Sequence, residues 1–359
     1  MPKLIIHVPA YNEENNIGNV IRDILDQEYN DLALVIHDNK STDNTIAECV
    51  NAIGGDPRAK INRGPLNIGP LAGGLRAKCH YDAEYVCYRS ANDRFHKDYI
   101  VEAMDLLEHD KNIALAYSHG YLYNENLNNL MLVDEVFKID TRNLDFKSSA
   151  LQVVSRYTYS FSLWGIYRRS ILESLRTYQY VHGGDHIFLA ELALYGAIAP
   201  TSNRLDYRYE HRSELDVNIT KQRADSQLEE YERGISSNSF LYGVKQLMPF
   251  IDMVYGHVEM YGMARIEESD KLELSHNSIA ILKNRFTPIM LQEASNFLNF
   301  LRKNIAYVNN LAAVNDIRIV IWLQKVLKEL IKLKTIKITA LAEVDLLLNK
   351  VTELIIKFS

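Results

Sequence analysis

Leu4-Ile5-Ile6-His7-Val8-Pro9-Ala10-Tyr11-Asn12-Glu13-Glu14, followed by Leu32-Ala33-Leu34-Val35-Ile36-His37-Asp38-Asn39-Lys40-Ser41-Thr42-Asp43, decides how this chain is read. Each stretch is an apolar run that breaks into a polar loop. Between them, Asn12 to Asp26 carries Ile17, Val20, Ile21 and Ile24 at helical spacing. Strand, helix and strand joined by short loops predict two parallel strands with a right-handed crossover. The two polar loops then fall at the carboxyl ends of their strands. Open α/β sheets bind ligands in the crevice beyond those ends.

The same alternation continues outward. Ser41-Thr42-Asp43 can cap a helix over Asn44 to Ile53. Residues 54 to 74 are rich in Gly and Pro and include Asn67-Ile68-Gly69, and a helix follows to Lys78. Glu84 to Tyr88 reads as a strand ending at Ser90-Ala91-Asn92-Asp93-Arg94-Phe95. A helix over Asp98 to Glu108 and a strand over Ile113 to Ser118 come next. Residues 120 to 160 are less regular. Trp164 to Ser170 reads as a strand entering a helix. His182-Gly183-Gly184-Asp185-His186 opens a helix over Ile187 to Tyr195, and Tyr207 to His211 is a last strand. The expected fold class is α/β, a mostly parallel sheet flanked by helices.

After about residue 220, Gly and Pro become scarce and helical periodicity takes over. We therefore expect two domains, 1–218 and a helical extension at 219–359. Residues 322–334 place Leu323, Val326, Leu327, Leu330 and Ile331 on one face, with Lys325, Lys328 and Lys332 on the other. Residues 341–358 repeat the apolar stripe without the basic face. Such helices suit packing, self-association to a homo-oligomer, or peripheral contact with an anionic membrane surface.

With 47% hydrophobic and 24% charged residues, the composition is that of an ordinary globular chain. A formal net charge of −6 argues against nucleic acid as a partner, which calls for a basic surface. Three cysteines without a paired spacing argue against a disulfide framework. No charged-then-apolar leader opens the chain, and no apolar run approaches the ~20 residues that span a bilayer. The expected location is cytoplasmic, with attachment to the inner face of the membrane as its one variant.

The two opening blocks together resemble the nucleotide-binding start of family-2 glycosyltransferases, and later blocks extend that resemblance over residues 3 to 215. It implies the GT-A fold of the nucleotide-diphospho-sugar transferases. It also implies inverting transfer of a sugar from a nucleotide-sugar donor, UDP-linked by preference, to a hydroxyl of a glycan, lipid-linked or protein acceptor. Pro9, Ala10, Tyr11, Glu13, Asp38 and Asn39 would then cradle the nucleotide, with Asp38 accepting the base N–H. Asn67, Gly69 and Asn92 would add nucleotide contacts. Asp93 would hold Mn²⁺ or Mg²⁺, oxygen-seeking ions that bridge carboxylate and diphosphate, with His211 as a late ligand. Asp185 would be the general base. Trp164, Gly165, His186 and Arg208 would face acceptor or phosphate.

One departure matters. The family's paired acids are reduced here to Ala91-Asn92-Asp93. That thinning is the argument for a rival reading, a catalytically silent homologue that binds sugar nucleotide or partner proteins. Asp185 argues for catalysis. A nucleotidyltransferase would carry a Gly-rich basic loop after the first strand, and Pro9-Ala10-Tyr11-Asn12-Glu13 is not one.

Overall fold

The computed structural model describes residues 1–65, 82–124, 126–159, 161–175, 183–209 and 249–303. These divide into two compact units. Residues 1–175 and 188–209 belong to the first, and 183–187 with 249–303 belong to the second.

In the first unit the chain opens with β1 (Leu4–Ala10), α1 (Ile17–Leu25), β2 (Leu32–Asp38), α2 (Thr45–Ile53) and β3 (Ala59–Arg63). It continues through β4 (Tyr85–Tyr88), β5 (Arg94–Phe95), α3 (Tyr99–His109) and β6 (Ile113–Tyr117). Next come β7 (Tyr121–Asn124), β8 (Asn126–Leu132), α4 (Phe146–Arg156), β9 (Ile166–Arg168) and α5 (Arg169–Ser174). Helix α6 (Gly184–Leu192) begins in the second unit and ends in the first, and β10 (Ala197–Pro200) and β11 (Asp206–Tyr209) follow.

Seven strands form the main sheet in the order β10-β6-β9-β4-β1-β2-β3. The pairs β1–β2, β2–β3, β1–β4 and β6–β10 are parallel, while β9 runs antiparallel to β4 and β6. The α/β expectation is borne out. The chain steps outward from β1 to β2 and β3, then returns to β4 on the other side of β1. That reversal is a topological switch point, where open sheets place their ligands.

Alternation along β1 sets its packing. Leu4, Ile6, Val8 and Ala10 join Ile17, Val20, Ile21 and Ile24 of α1, and Ile100, Ala103 and Met104 of α3, in one buried cluster. Each fully buried aliphatic side chain contributes about 1.5–3 kcal/mol. Ile5 and His7, on the opposite face, are buried as well. A strand covered on both faces reads as a continuous apolar run, as β1 does.

Helix α1 begins at Ile17 rather than at Asn12. Asn12 has φ 54°, a left-handed conformation that cannot start an α-helix, and Lys40 in the facing loop has φ 65°. Cys49 and Cys87 are buried free thiols.

A smaller sheet, β5-β11-β7-β8, occupies the stretch whose sequence is irregular. Its strand β11 runs parallel to β7 and antiparallel to β5. Gly120 permits this approach, because a Cβ there would lie 1.9 Å from the carbonyl oxygen of Asp206.

The second unit packs α6's first turn with α7 (Pro249–Met263) and α8 (Glu268–Lys303). Val254, Met260, Tyr261, Leu274 and Leu282 are buried in it, and Ser278 Oγ donates to Tyr261 Oη at 3.0 Å. These helices match the expected helical character after residue 220. The stretches 322–334 and 341–358 lie outside the described residues. Among the described residues, no helix is long and apolar enough to cross a membrane.

Gly120→Ala tests the close approach of β11. The added methyl forces the strand away, and overpacking of this kind costs about 1–3 kcal/mol. The expected outcome is a lower urea midpoint with an unchanged slope.

Candidate active site

The register of β1 and β2 sets Ala10 level with Asp38, so both loops leave the sheet together. They are then laced to each other. Asn39 N–H donates to Ala10 O at 2.8 Å, Asn12 N–H to Ser41 Oγ at 3.0 Å and Glu13 N–H to Thr45 Oγ1 at 2.8 Å. In return Thr42 N–H donates to Asn12 Oδ1 at 2.9 Å and Asn44 N–H to Glu14 Oε2 at 2.9 Å. Asp43 Oδ1 accepts from Thr45 N–H at 3.0 Å, so it serves the first turn of α2, although the residue at the cap position is Asn44. Burial pushes the Glu13 carboxyl above its ordinary value.

Asp38 is 1% exposed. Its Oδ1 accepts Ser41 N–H at 3.0 Å. Arg63 Nε, at the end of β3, lies 3.1 Å from Oδ2, but the two are not aligned as donor and acceptor. Oδ2 is therefore close to a cation, buried, and without a hydrogen bond. An acceptor so placed costs about 1–3 kcal/mol.

Beneath this rim His7 Nδ1 and His37 Nε2 are 3.0 Å apart, with His7 stacked on Tyr88. Burial, and then the neighbouring His37, push His7 down to about 3.

On the other side of β1, Arg89 N–H donates to His7 O at 2.8 Å and extends the pairing of β4. The Arg89 side chain is 1% exposed. It meets Asp206 bidentately, Nη1 to Oδ2 at 3.0 Å and Nη2 to Oδ1 at 2.9 Å. It also donates to Trp164 O at 3.3 Å and lies 4.4 Å from the Phe95 ring centroid.

Asp93 follows four residues later and is buried. Its Oδ1 accepts Tyr209 N–H at 2.8 Å. Burial pushes its carboxyl up to about 6, and the nearby Asp206 adds to this. Arg208, Arg89 and the Tyr209 N–H act the other way. Tyr123 Oη donates to Asn92 O at 2.6 Å, and Ser90 Oγ donates to Asn92 Oδ1.

The sequence-predicted residues thus fall into separate groups. Pro9, Ala10, Tyr11, Glu13, Asp38 and Asn39 belong to the laced ends of β1 and β2, Asn92 and Asp93 to the loop after β4, and Arg208 of β11 acts on Asp93. Trp164 and Gly165 precede β9. Gly165 is tightly packed, since a Cβ there would come within 2.6 Å of Ala116 O.

Asp185 and His186 belong to the second unit. Asp185 Oδ1 accepts His186 N–H at 2.9 Å. His186 Nδ1 meets His257 Nε2 at 2.8 Å, and Arg285 approaches its Nε2 at 3.4 Å, so this ring is engaged by α7 and α8. Asn67, Gly69 and His211 lie outside the described residues.

Sequence reasoning missed Arg89, Asp206 and Arg63. A charged residue directly after a buried strand was the available signal for Arg89, whereas Arg63 ends the more exposed β3 and carries no such signal. Asp206 is 117 residues from its partner, and no local pattern announces it.

Asp93 fits a divalent cation through the chemistry of its donors. A carboxylate oxygen and the adjacent Asn92 amide are hard oxygen ligands. Among the described residues, no group of three His, Cys, Asp or Glu side chains converges as a metal site.

Residues 5–175 match Glycosyl transferase family 2. The chain carries a family-2 glycosyltransferase domain. An uncharacterized glycosyltransferase from Haemophilus influenzae is 26% identical over 140 residues, which is 39% of this chain and 56% of that protein. The match thus spans little more than half the length of that relative. Among solved structures, S. aureus TarS aligns with a TM-score of 0.52 at 14% identity over 83% of this chain and 53% of that one. Mannosyltransferase PcManGT from Pyrobaculum calidifontis, in complex with GDP-Man and Mn²⁺, aligns at 0.51 and 15% identity, covering 99% of this chain and 87% of that one. These likenesses establish a shared GT-A fold.

The buried His7 makes stability sensitive to acid. Its proton affinity is lower folded than unfolded. Between about 6.5 and about 3 the unfolded chain therefore binds a proton that the folded chain does not. Stability is fully present above 6.5 and is lost as pH falls through this window. Urea midpoints at pH 7.5 and 4.5 should differ more for the native chain than for His7→Asn, which cannot titrate.

Proposed function

We propose that this protein is an inverting glycosyltransferase that uses a nucleotide-sugar donor, UDP-linked by preference, and a hydroxyl acceptor on a glycan, lipid-linked sugar or protein. What supports the proposal is that, within a family-2 domain, Asp38 ends β2 and Asp93 follows β4, the two strands that flank β1 in parallel at the topological switch point. Asp38 is a buried carboxylate with an oxygen lacking a hydrogen bond. Asp93 is a buried carboxylate whose proton affinity is raised.

In this reading Asp38 Oδ2 accepts the base N–H, and the laced loops around Tyr11 and Asn39 hold the nucleoside without rearranging. Preorganisation of this kind lowers the cost of binding. Asp93, with His211 as the second candidate, holds Mn²⁺ or Mg²⁺. When bound, the ion neutralises charge on the departing diphosphate. Arg208 supplies a second positive charge in the same place. The acceptor oxygen attacks the anomeric carbon, and the new C–O bond forms as the bond to the diphosphate oxygen breaks. The hydroxyl proton passes to Asp185, and the nucleoside diphosphate leaves. The donor sugar and the nature of the acceptor are open to screening.

A transfer assay across common sugar nucleotides with Mn²⁺ tests the proposal. Binding without turnover for every donor and acceptor would favour the silent homologue. Loss of turnover in EDTA, together with its loss in Asp93→Ala, is the expected sign of the metal.

Asp38→Ala should weaken UDP by roughly tenfold in a calorimetric titration, the scale of one lost hydrogen bond to a charged group. An unchanged affinity with a normal melting curve reduces Asp38 to a turn residue.

Asp185→Asn keeps the size of the side chain. Turnover should fall by roughly two to four powers of ten while donor affinity stays, because a general base acts in the transition state. Native turnover in this variant would move the base elsewhere.

A further inference from the structure

Asp38 is not alone at the base position. Parallel pairing sets Arg63 opposite it, and Gly64 N–H donates to Asp38 O at 2.8 Å, so the backbone of both residues is fixed. The Arg63 guanidinium is tethered at one end, Nη2 to Ser41 O at 3.0 Å. Its Nε lies 3.1 Å from Asp38 Oδ2 without hydrogen-bond alignment. The side chain of Arg63 is 55% exposed, whereas that of Asp38 is 0% exposed. A ligand arriving at Oδ2 therefore meets Arg63 first.

We propose that Arg63 is a second base-reading residue, donating a hydrogen bond to the base carbonyl adjacent to the N–H that Asp38 accepts. The proposal rests on the reading of Asp38 as the base carboxylate. A guanidinium beside a carboxylate presents a donor next to an acceptor. The complementary edge is a carbonyl next to an N–H, as uracil has at N3 and guanine at N1. Arginine suits this task because its donors lie in one plane and remain charged at every working pH. Only one N–H of Arg63 is spent on Ser41 among the described residues, so donors remain for a base. As they stand, Arg63 and the buried Asp38 are an ion pair without a hydrogen bond between them. The unmatched geometry of Nε and Oδ2 is relieved when a base inserts its N–H at Oδ2 and its carbonyl at the guanidinium.

The test is calorimetric titration of the full chain with uridine, UMP and UDP, for the native protein, Arg63→Ala and Asp38→Ala. Arg63→Ala removes the cation nearest a buried carboxylate, so Arg63→Lys, which keeps the charge and loses the planar fork, is titrated beside it and should show the same loss of affinity. The expected result is a roughly tenfold loss of affinity in Arg63→Ala that is the same for all three ligands, because the lost contact is to the base. A loss that grows from uridine to UDP makes Arg63 a phosphate ligand and overturns the proposal. An unchanged or tighter affinity makes it a cover over Asp38 and overturns it equally. If Asp38→Ala weakens binding while Arg63→Ala does not, only the present inference fails. If the native protein binds none of the uridine ligands, and none of guanosine, GMP and GDP, the reading of Asp38 fails with it.

Discussion

The buried pair of Arg89 and Asp206 fixes the relation between the two sheets of the first unit. A guanidinium and a carboxylate, each almost wholly removed from water, are tolerated only when every polar atom that can be paired is paired. Arg89 meets most of this demand with a bidentate partner, the Trp164 carbonyl and the face of Phe95, and only its Nε is left buried without a hydrogen bond among the described residues. Removing one partner would leave a buried charge and cost about 3–5 kcal/mol, whereas an apolar pair of equal volume is often no less stable. The pair therefore dictates position more than it adds stability. It joins the end of β4 in the main sheet to β11 in the small one, and from β11 the Tyr209 N–H reaches Asp93. Gly120 serves the same constraint, because β11 carries Asp206 to a distance that admits no Cβ.

The rim formed by the loops after β1 and β2 obeys a second constraint. Two loops that end adjacent strands have unpaired backbone groups, and these must find partners. Here each loop satisfies the other. Asn12 and Lys40 accept left-handed backbone so that this can happen. Such conformations cost of order 1–3 kcal/mol each and persist where the surroundings over-determine them. The hydrogen bonds between residues 12–14 and 41–45 are that over-determination. The rim is thus shaped before any ligand arrives.

The legible part of this molecule is the part governed by local periodicity. The strands β1, β2, β4, β6 and β9 and the helices α2 and α3 stand within a few residues of where the apolar pattern puts them. The start of α1 was misplaced because Asn12 to Asn16 carry polar side chains that helices tolerate. Their true role depends on a loop thirty residues away. The small sheet was not legible at all. Its strand β8 is Asn126-Leu127-Asn128-Asn129-Leu130-Met131-Leu132, which lacks the β-branched and aromatic residues that mark strands. Asp38 and Asp93 were visible because Asp38 ends β2 and Asp93 lies in the short polar loop after β4. Arg89, Asp206 and the histidine pairs were not, since each partner lies far along the chain.

The thinned acidic motif is clearer with these contacts in view. Ser90 and Asn92 stand where charge would be expected, and they bond to each other instead. Asp206 contributes a further carboxylate close to Asp93, but Arg89 neutralises it. What remains is one buried acid, Asp93, with Arg208 as the strongest opposing charge acting on it. Burial disfavours its ionised form, so any cation that arrives must first offset that desolvation. Two charged acids at this depth would raise the same cost further by repelling each other. A lone carboxylate beside an arginine concentrates less negative charge here than a pair of acids would.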